Sequence, residues 1–271
     1  MSNAEFSMQN AELTGISAPL LAVDGVTLQY RTASHVVTAT HRVSFSVGRS
    51  DRFVILGPSG CGKSTMLKAV AGFVRPVEGR ILLNGTAVER PGPDRVVVFQ
   101  EFDQLLPWKT VKDNITFALT ASGRVGRRDA DERARHYIDK VRLTEFAGSF
   151  PHTLSGGMKQ RVAIGRAMAM EPQILLMDEP FAALDAMTRV RMQDELLQLW
   201  EDTRSTILFV THSIAEAIRV GTRILLLSAH PGRVKAEIES TGQDAADPAG
   251  RRLSARIHEM LFEHEAVHAD A

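Results

Sequence analysis

The stretch "RFVILGPSGCGKSTMLKAVAG", residues 52–72, joins three patterns without a break. Its first six residues, "RFVILG", are a short apolar run of the kind that forms a strand in a sheet covered on both faces. Gly57, four variable residues, then Gly62, Lys63 and Ser64 satisfy the phosphate-loop pattern. From Ser64 the period turns helical through "STMLKAVAG", with Gly72 placed as a C-cap. Strand, glycine loop and helix in that order are the context in which such a loop cradles phosphate. The candidate cradle is Gly57, Pro58, Ser59, Gly60, Cys61, Gly62, Lys63, Ser64 and Thr65. Its glycines permit a tight curve whose backbone N–H groups converge on phosphate oxygens, and the helix N-terminus behind it favours negative charge. Lys63 adds a mobile positive charge for the outer phosphates, and Ser64 can place its hydroxyl on Mg²⁺.

Outward from this stretch, "LLAVDGVTLQY" reads as a strand, and "VSFSV" places Val43, Phe45 and Val47 on one face by the period of two. "GRILLNG" and "RVVVFQ" add two strands. Thr110 with Asp113 resembles a capping box ahead of "NITFALT", and a strongly charged helix is expected from Arg128 to about Val141. Charge along that helix reads as a solvated face. Then helix and strand alternate: "GGMKQRVAIGRAMAM", "ILLMD", "AMTRVRMQDELLQLW", "STILFVTH", "SIAEAIRV", "RILLLS". Such alternation predicts a mostly parallel sheet with covering helices. Met158, Met168, Met170 and Met177 are read as core packing.

The expected division is a flexible leader over 1–19, an α/β domain over 20–240 with an inserted helical subdomain over about 101–160, and a linker with a final helix over 241–271. In that last helix Leu253, Ile257, Leu261 and Phe262 form one apolar stripe.

Three apolar strands each deliver a polar residue to what should be one sheet edge, where ligands of open parallel sheets gather. "ILLMDE" brings Asp178, placed to bind magnesium through water, and Glu179, a carboxylate able to polarise an attacking water. "STILFVTH" brings His212, within reach of a terminal phosphate or of that carboxylate. "RVVVFQ" brings Gln100, whose amide can accept from metal-bound water and donate to an oxygen.

The 271 residues suffice for one large domain, or for a domain with a subdomain and a tail. Lys+Arg 32 against Asp+Glu 32 leaves no overall field arguing for nucleic acid. The single cysteine, Cys61, cannot form an internal disulfide, and the opening residues lack the basic and apolar regions of a secretion signal, so a reducing compartment is expected. No apolar run approaches the roughly 18 residues needed to cross a bilayer.

A second glycine loop, "LSGGMKQR" at residues 154–161, is followed by a helix and then by "ILLMDEPFAALD". The whole resembles the signature region of ATP-binding cassette transporter ATPases, and the resemblance runs from about Leu20 to Val234. It implies a P-loop NTPase core with a mostly parallel sheet, an antiparallel β-subdomain and an inserted helical subdomain. It further implies a head-to-tail dimer with two ATP molecules held between phosphate loops and signatures. One loop would then grip a nucleotide of its own, while Ser155, Gly156 and Gly157 grip the partner's. Carried over residue by residue, Tyr30 resembles the aromatic that stacks on adenine. Gln100 resembles the glutamine that senses magnesium and touches the membrane subunits, and Asp178 and Glu179 the magnesium-linked aspartate and general base. Asp185 resembles the aspartate of the loop exchanged between subunits, and His212 the switch histidine. "THS" and "VGTR" stand where "THD" and "LADR" are more usual.

Within that family, "GPDRVVVFQEFDQLLPWKTVKDNI", "DEPFAALDAMTR" and "SAHPGRV" look like the nitrate, sulfonate and taurine importer ATPases. The match implies a bacterial import system with two transmembrane permease subunits, a second ATPase subunit and a solute-binding protein, the chain sitting at the cytoplasmic face of the membrane. The loop "EFDQLLPW" is expected to present Phe102, Leu105, Leu106 and Trp108 to the permease. Two other classes stand beside the importer ATPase. One is a cytosolic cassette ATPase acting on nucleic acid or ribosomes, which usually brings two cassettes or a coiled-coil insertion. The other is a nucleotide-binding structural protein without turnover, which conflicts with the intact set Lys63, Asp178, Glu179 and His212.

Overall fold

In a computed structural model of the chain, residues 18–31, 35–101, 104–123, 125–240, 242 and 247–262 are described. The expected leader therefore lies almost wholly outside the described residues, as does Phe102. Leu20 already belongs to the core, 1% exposed.

A six-stranded sheet organises the fold. Its central strand β3 (Arg52–Leu56) is flanked on one side by β8 (Thr206–Thr211), β7 (Ile174–Asp178) and β6 (Arg95–Val98), and on the other by β9 (Arg223–Leu227) and β10 (Val234–Glu239). All neighbours pair in parallel except β10, which closes the edge antiparallel to β9. The apolar runs are continuous because both faces are covered, and alternate residues serve different cores. Val54, Leu175, Met177, Ile207, Phe209, Ile224 and Leu226 join one cluster, while Phe53, Ile55, Ile174, Leu176, Leu208, Val210 and Leu225 join the other. Truncating a fully buried ring such as Phe209 to Ala would cost about 3–5 kcal/mol.

On the second face lie α1 (Lys63–Val70) and an antiparallel sheet of order β2 (Val36–Val47), β1 (Leu21–Arg31), β4 (Glu78–Leu83), β5 (Thr86–Ala87). The face predicted for "VSFSV" holds: Val43, Phe45 and Val47 are all buried. Helix α1 ends at Ala71 with Gly72 one place beyond, at φ 86°, where Phe73 N donates to Lys68 O and Gly72 N to Ala69 O. This paired closure satisfies the last carbonyls and needs the left-handed residue that glycine supplies.

The other face carries α2 (Val111–Ala121), α3 (Arg127–Lys140), α4 (Gly156–Ala169), α5 (Ala186–Thr203) and α6 (Ile214–Val220). The first three pack on one another and form the inserted helical region. Thr110 caps α2 by accepting from Asp113 N at 3.1 Å. In α3 the buried residues Ala130, Ala134, Tyr137 and Ile138 share one face, with the charged residues opposite. The methionines fall as read: Met168 and Met177 are buried, while Met158 and Met170 pack partly buried against the same core.

Helix α7 (Pro248–Phe262) packs on α6 and β10. Ile257 and Leu261 enter the main core and Leu253 packs against it. Phe262 departs from the expected stripe: it is 43% exposed, its ring against His258, because Leu261 takes the buried place on that turn. Lys235 in β10 donates to Met260 O at 3.1 Å and Leu261 O at 2.8 Å, tying the last turn of α7 to the sheet. Among the described residues no helix is long and apolar enough to cross a membrane.

Candidate functional site

The site forms where the parallel strands end. β3 runs into the glycine loop, and α1 begins at Lys63 with Gly62 as N-cap at φ 93°. A Cβ there would lie 2.6 Å from Thr40 Cγ2 and 2.7 Å from Ala39 O, so the loop's closest pass against β2 admits only glycine. Gly62 has no side chain to cap the helix, so the first-turn N–H groups of α1 face the loop's hollow. The Cys61 side chain is wholly buried, and burial raises its thiol above the ordinary cysteine range, so it serves the cradle as backbone.

A cleft of about 320 Å³ opens over this loop, lined by Tyr30, Ala39, Ser59, Gly60, Gly62, Lys63, Ser64, Thr65 and Glu179. Tyr30, near the end of β1, is half exposed and stands at the rim, the place an aromatic needs to meet a planar base. Lys63 is 4% exposed, and its ammonium donates to Gly57 O and Pro58 O at 2.8 Å each, which keeps the charge satisfied and poised inside the loop. Ser64 Oγ donates to Asp178 Oδ1 at 2.7 Å. Burial raises the Asp178 carboxyl above its usual range, partly offset by that hydrogen bond. A hydroxyl touching a buried carboxylate is a pair of hard oxygen donors, and it fits a divalent cation such as Mg²⁺.

Parallel register brings the remaining groups together. Asp178, the last residue of β7, pairs with Val210 of β8, so Glu179 turns off β7 while β8 runs one residue further, through Thr211, before His212 leaves the sheet beside it. Glu179 N donates to Val210 O at 3.0 Å, and Glu179 Oε2 lies 2.8 Å from His212 Nδ1. Glu179 holds φ at 45°, a left-handed conformation uncommon for a residue with a side chain. Such backbone persists where the surroundings enforce it, here the bonds to Val210 and His212. The substitution of "THS" for "THD" is absorbed locally: Ser213 caps α6, its Oγ accepting from Glu216 N at 3.3 Å.

Gln100, Asp185 and the residues of the second glycine loop do not line the cleft. Gln100 lies two residues past the end of β6, exposed, because the strand stops at Val98 and does not carry the glutamine as the sequence predicted. Ser155 is exposed at the N-cap of α4, accepting from Met158 N at 3.3 Å, with Gly156 and Gly157 in the first turn. Asp185 caps α5, accepting from Thr188 N at 3.0 Å, a bond that holds its carboxyl below the usual range.

The expected apolar loop is also corrected. Leu105 is 3% exposed and belongs to the core, Leu106 is half-buried, and of the described residues in this expected set only Trp108, 70% exposed, stands out. Two side chains that sequence reasoning missed shape this segment. Asn114, fully buried in α2, accepts from Leu106 N at 2.8 Å and donates to Leu106 O, Lys109 O and Thr110 O at 3.0–3.1 Å. Gln104 donates to Phe99 O and Glu101 O at 2.9 Å, bracing the turn that carries Gln100. Neither belongs to a recognisable spacing, and an amide between loops gives no periodic signal.

A model of the family described as ABC transporter matches residues 40–182. A taurine import ATP-binding protein of Rhizobium johnstonii is 53% identical over 203 residues, covering 75% of this chain and 77% of that protein. An aliphatic sulfonates import ATP-binding protein of Bacillus cereus is 40% identical over 220 residues, covering 81% of this chain and 86% of that one. Among solved structures, a dimeric post-hydrolysis state of an ATP-binding cassette bound to ADP and Pi aligns with a TM-score of 0.71 at 32% identity, over 82% of this chain and all of that one. A cassette of a Clostridium perfringens ABC transporter complex has the same fold, with a TM-score of 0.73 at 22% identity over 94% of this chain and all of that one. The glycine loop under the cleft and the carboxylates at the strand ends thus stand in a chain that belongs to the ABC transporter family and is an ATPase of it.

Proposed function

We propose that this chain is the ATP-hydrolysing subunit of an importer for a small anion, with taurine, another sulfonate or nitrate as the solute class. The observation that carries the catalytic reading is the Glu179–His212 contact at the mouth of the cleft that Lys63 and Ser64 line. The first-turn N–H groups of α1 and the Lys63 ammonium bind and orient the phosphates, and Tyr30 stacks on the base. Ser64 and Asp178, with Gln100 brought in from the turn beyond β6, would hold magnesium, which would neutralise phosphate charge. Glu179 takes the proton of the attacking water, and His212 holds that carboxylate in place.

Ser155, Gly156 and Gly157 are exposed or half-buried and do not line the chain's own cleft, which supports their use on a partner's nucleotide in a head-to-tail dimer. Asp185, the N-cap of α5, would belong to the loop exchanged between the two subunits. The dimer would dock on two permease subunits at the cytoplasmic face of the membrane, with a solute-binding protein delivering cargo on the far side. The import names of the relatives favour this over a cassette acting on nucleic acid or ribosomes.

Reconstitution with the permease pair in proteoliposomes tests the reading. ATP hydrolysis should rise when a taurine- or sulfonate-loaded binding protein is added. Turnover indifferent to every loaded binding protein would remove the importer assignment.

A further inference from the structure

Ser213 and Glu216 have the spacing of a capping box, yet the box is only half made. In the usual arrangement the glutamate three residues on reaches back to the cap residue's N–H. Here Ser213 N donates instead to Thr211 Oγ1, at 3.0 Å. The Glu216 carboxylate is thereby released, and it is 5% exposed. A buried carboxylate needs partners, and it has two. Thr211 Oγ1 donates to Glu216 Oε2 at 2.6 Å, and Arg189 Nε lies 3.7 Å from Glu216 Oε1.

Those partners belong to two different segments that each contact Glu179. Thr211 immediately precedes His212, and its hydroxyl fixes the 211–213 turn from which the histidine reaches Glu179. Arg189, in the first turn of α5, donates through Nη2 to Leu184 O at 3.0 Å and to Ala182 O at 3.5 Å. It therefore grips the backbone of the 182–185 loop, which starts beside Glu179: Ala182 N donates to Glu179 O at 3.1 Å. The Arg189 Nε is buried and makes no hydrogen bond, since 3.7 Å is too long for one. A loop shift of under about 1 Å would close it to a charge-assisted bond of roughly 2.7–2.9 Å. The pair is thus one small movement from a second, tighter state.

We propose that Glu216 and Arg189 are positioning residues that link the 182–185 loop to His212, so that pressure of a second subunit on that loop is registered as alignment of the Glu179–His212 pair. This rests on the hydrolytic and dimeric reading above and adds the path by which it is sensed. Neither residue touches nucleotide, and both act through the turn and the loop that flank Glu179.

The test is steady-state hydrolysis and ATP affinity of the full-length chain with Arg189→Met, Glu216→Gln and the two combined. Each single variant should lower kcat about tenfold while KM and the ATP dissociation constant stay within about twofold, the signature of lost alignment with binding intact. The double variant should fall no further than the worse single, because both cut one link. Arg189→Lys should not restore turnover, since an ammonium lacks the fork that reaches both the carboxylate and the loop carbonyls. Arg189 is partly exposed, so Arg189→Met carries the test by itself if Glu216→Gln folds poorly. Wild-type kcat in Arg189→Met, or losses that multiply in the double variant, would overturn the link. Glu179→Gln is run alongside. If it abolishes turnover while Arg189→Met does not, the link alone is refuted; if it leaves turnover intact, the hydrolytic reading falls and the link with it.

Discussion

Glu179 Oε2 and His212 Nδ1 are 2.8 Å apart because two adjacent parallel strands end within one residue of each other. β7 stops at Asp178 opposite Val210, and the chain turns at Glu179 with its N–H still bonded to β8. The left-handed backbone at Glu179 swings its side chain toward the residue that leaves β8 next. A carboxylate one residue later would sit on a different turn. The spacing "DE" after four apolar residues is therefore a geometric requirement of this site, and so is "TH" after "ILFV".

Lys63 illustrates how the loop prepares for a ligand. Its ammonium is buried and held by two carbonyls of its own loop, so Lys63→Ala removes a charge and leaves Gly57 O and Pro58 O without their donor. The expected result is ATP affinity reduced at least about tenfold and turnover lost, with the fold retained, since each of the two bonds contributes only about 1–3 kcal/mol. Calorimetric titration with ATP and magnesium, beside a thermal melt, reads both. Wild-type affinity would remove the phosphate-loop assignment.

Asp178 sets a stability trend with pH. Burial raises its folded pKa above the unfolded value, so below the ordinary carboxylate range, about 4, both states are protonated and the site costs nothing. As pH rises from there toward the folded value, the unfolded chain ionises first, and folding stability falls. Without nucleotide or metal, Asp178→Asn should gain in Tm relative to the wild type as pH climbs from about 4 to neutrality, because the amide copies the neutral acid and still accepts from Ser64. The same variant should lose the extra stability that ATP and magnesium give the wild type. Melting curves across pH, with and without ligand, check both halves; a gap that shrinks with rising pH would contradict the burial argument.

Trp108 stands 70% exposed on a segment that Asn114 pins from below. An ordered apolar side chain of that size in water is what a partner's pocket would cover. Trp108→Asp, alone or with Leu106→Asp, should weaken co-purification with the permease while ATP affinity stays nearly unchanged, and Trp108→Asp alone should leave Tm within about 1 °C, as surface changes usually do. Leu105→Asp should instead unfold the chain, since Leu105 is core. Undiminished permease capture by the double variant would refute this contact.

Both sheets, the helical insertion and the gathering of Lys63, Asp178, Glu179 and His212 at one sheet edge were legible in the sequence, for a physical reason. Strands buried on both faces must be continuously apolar, so "RFVIL", "ILLM" and "TILFV" announce themselves, and the residue that follows each run, Gly57, Asp178 or Thr211, marks the sheet edge. Irregular segments gave no such signal. That β6 would stop before Gln100, or that Leu105 would turn inward while Trp108 turned out, depends on the amides of Gln104 and Asn114, which bond across loops rather than along an element. Glu216 carried a faint signal, the capping-box spacing from Ser213, but the spacing alone points its carboxylate back at the cap and not at Thr211 and Arg189.

The two glycine loops make the strongest demand on the chain. Gln at position 179 keeps nearly the volume of the glutamate and some of its hydrogen bonding, but removes the charge that prepares water for attack. Glu179→Gln should bind ATP normally and hydrolyse it at least about a hundredfold more slowly, about 2.7 kcal/mol in the barrier. If the loop at Ser155 serves a partner's nucleotide, blocked hydrolysis also blocks reopening, and the variant should accumulate as an ATP-dependent dimer. Ser155 is exposed at the head of α4, so Ser155→Arg added to Glu179→Gln puts bulk where the opposite nucleotide must sit without disturbing the cleft over Gly62 and Lys63. Light scattering on eluting protein, at saturating ATP and magnesium, should show dimer for the single variant and monomer for the double, with both still binding ATP. A Glu179→Gln chain that stays monomeric alone and with its permease would contradict the use of the second loop in trans, whereas wild-type hydrolysis in it would contradict the role of Glu179 itself.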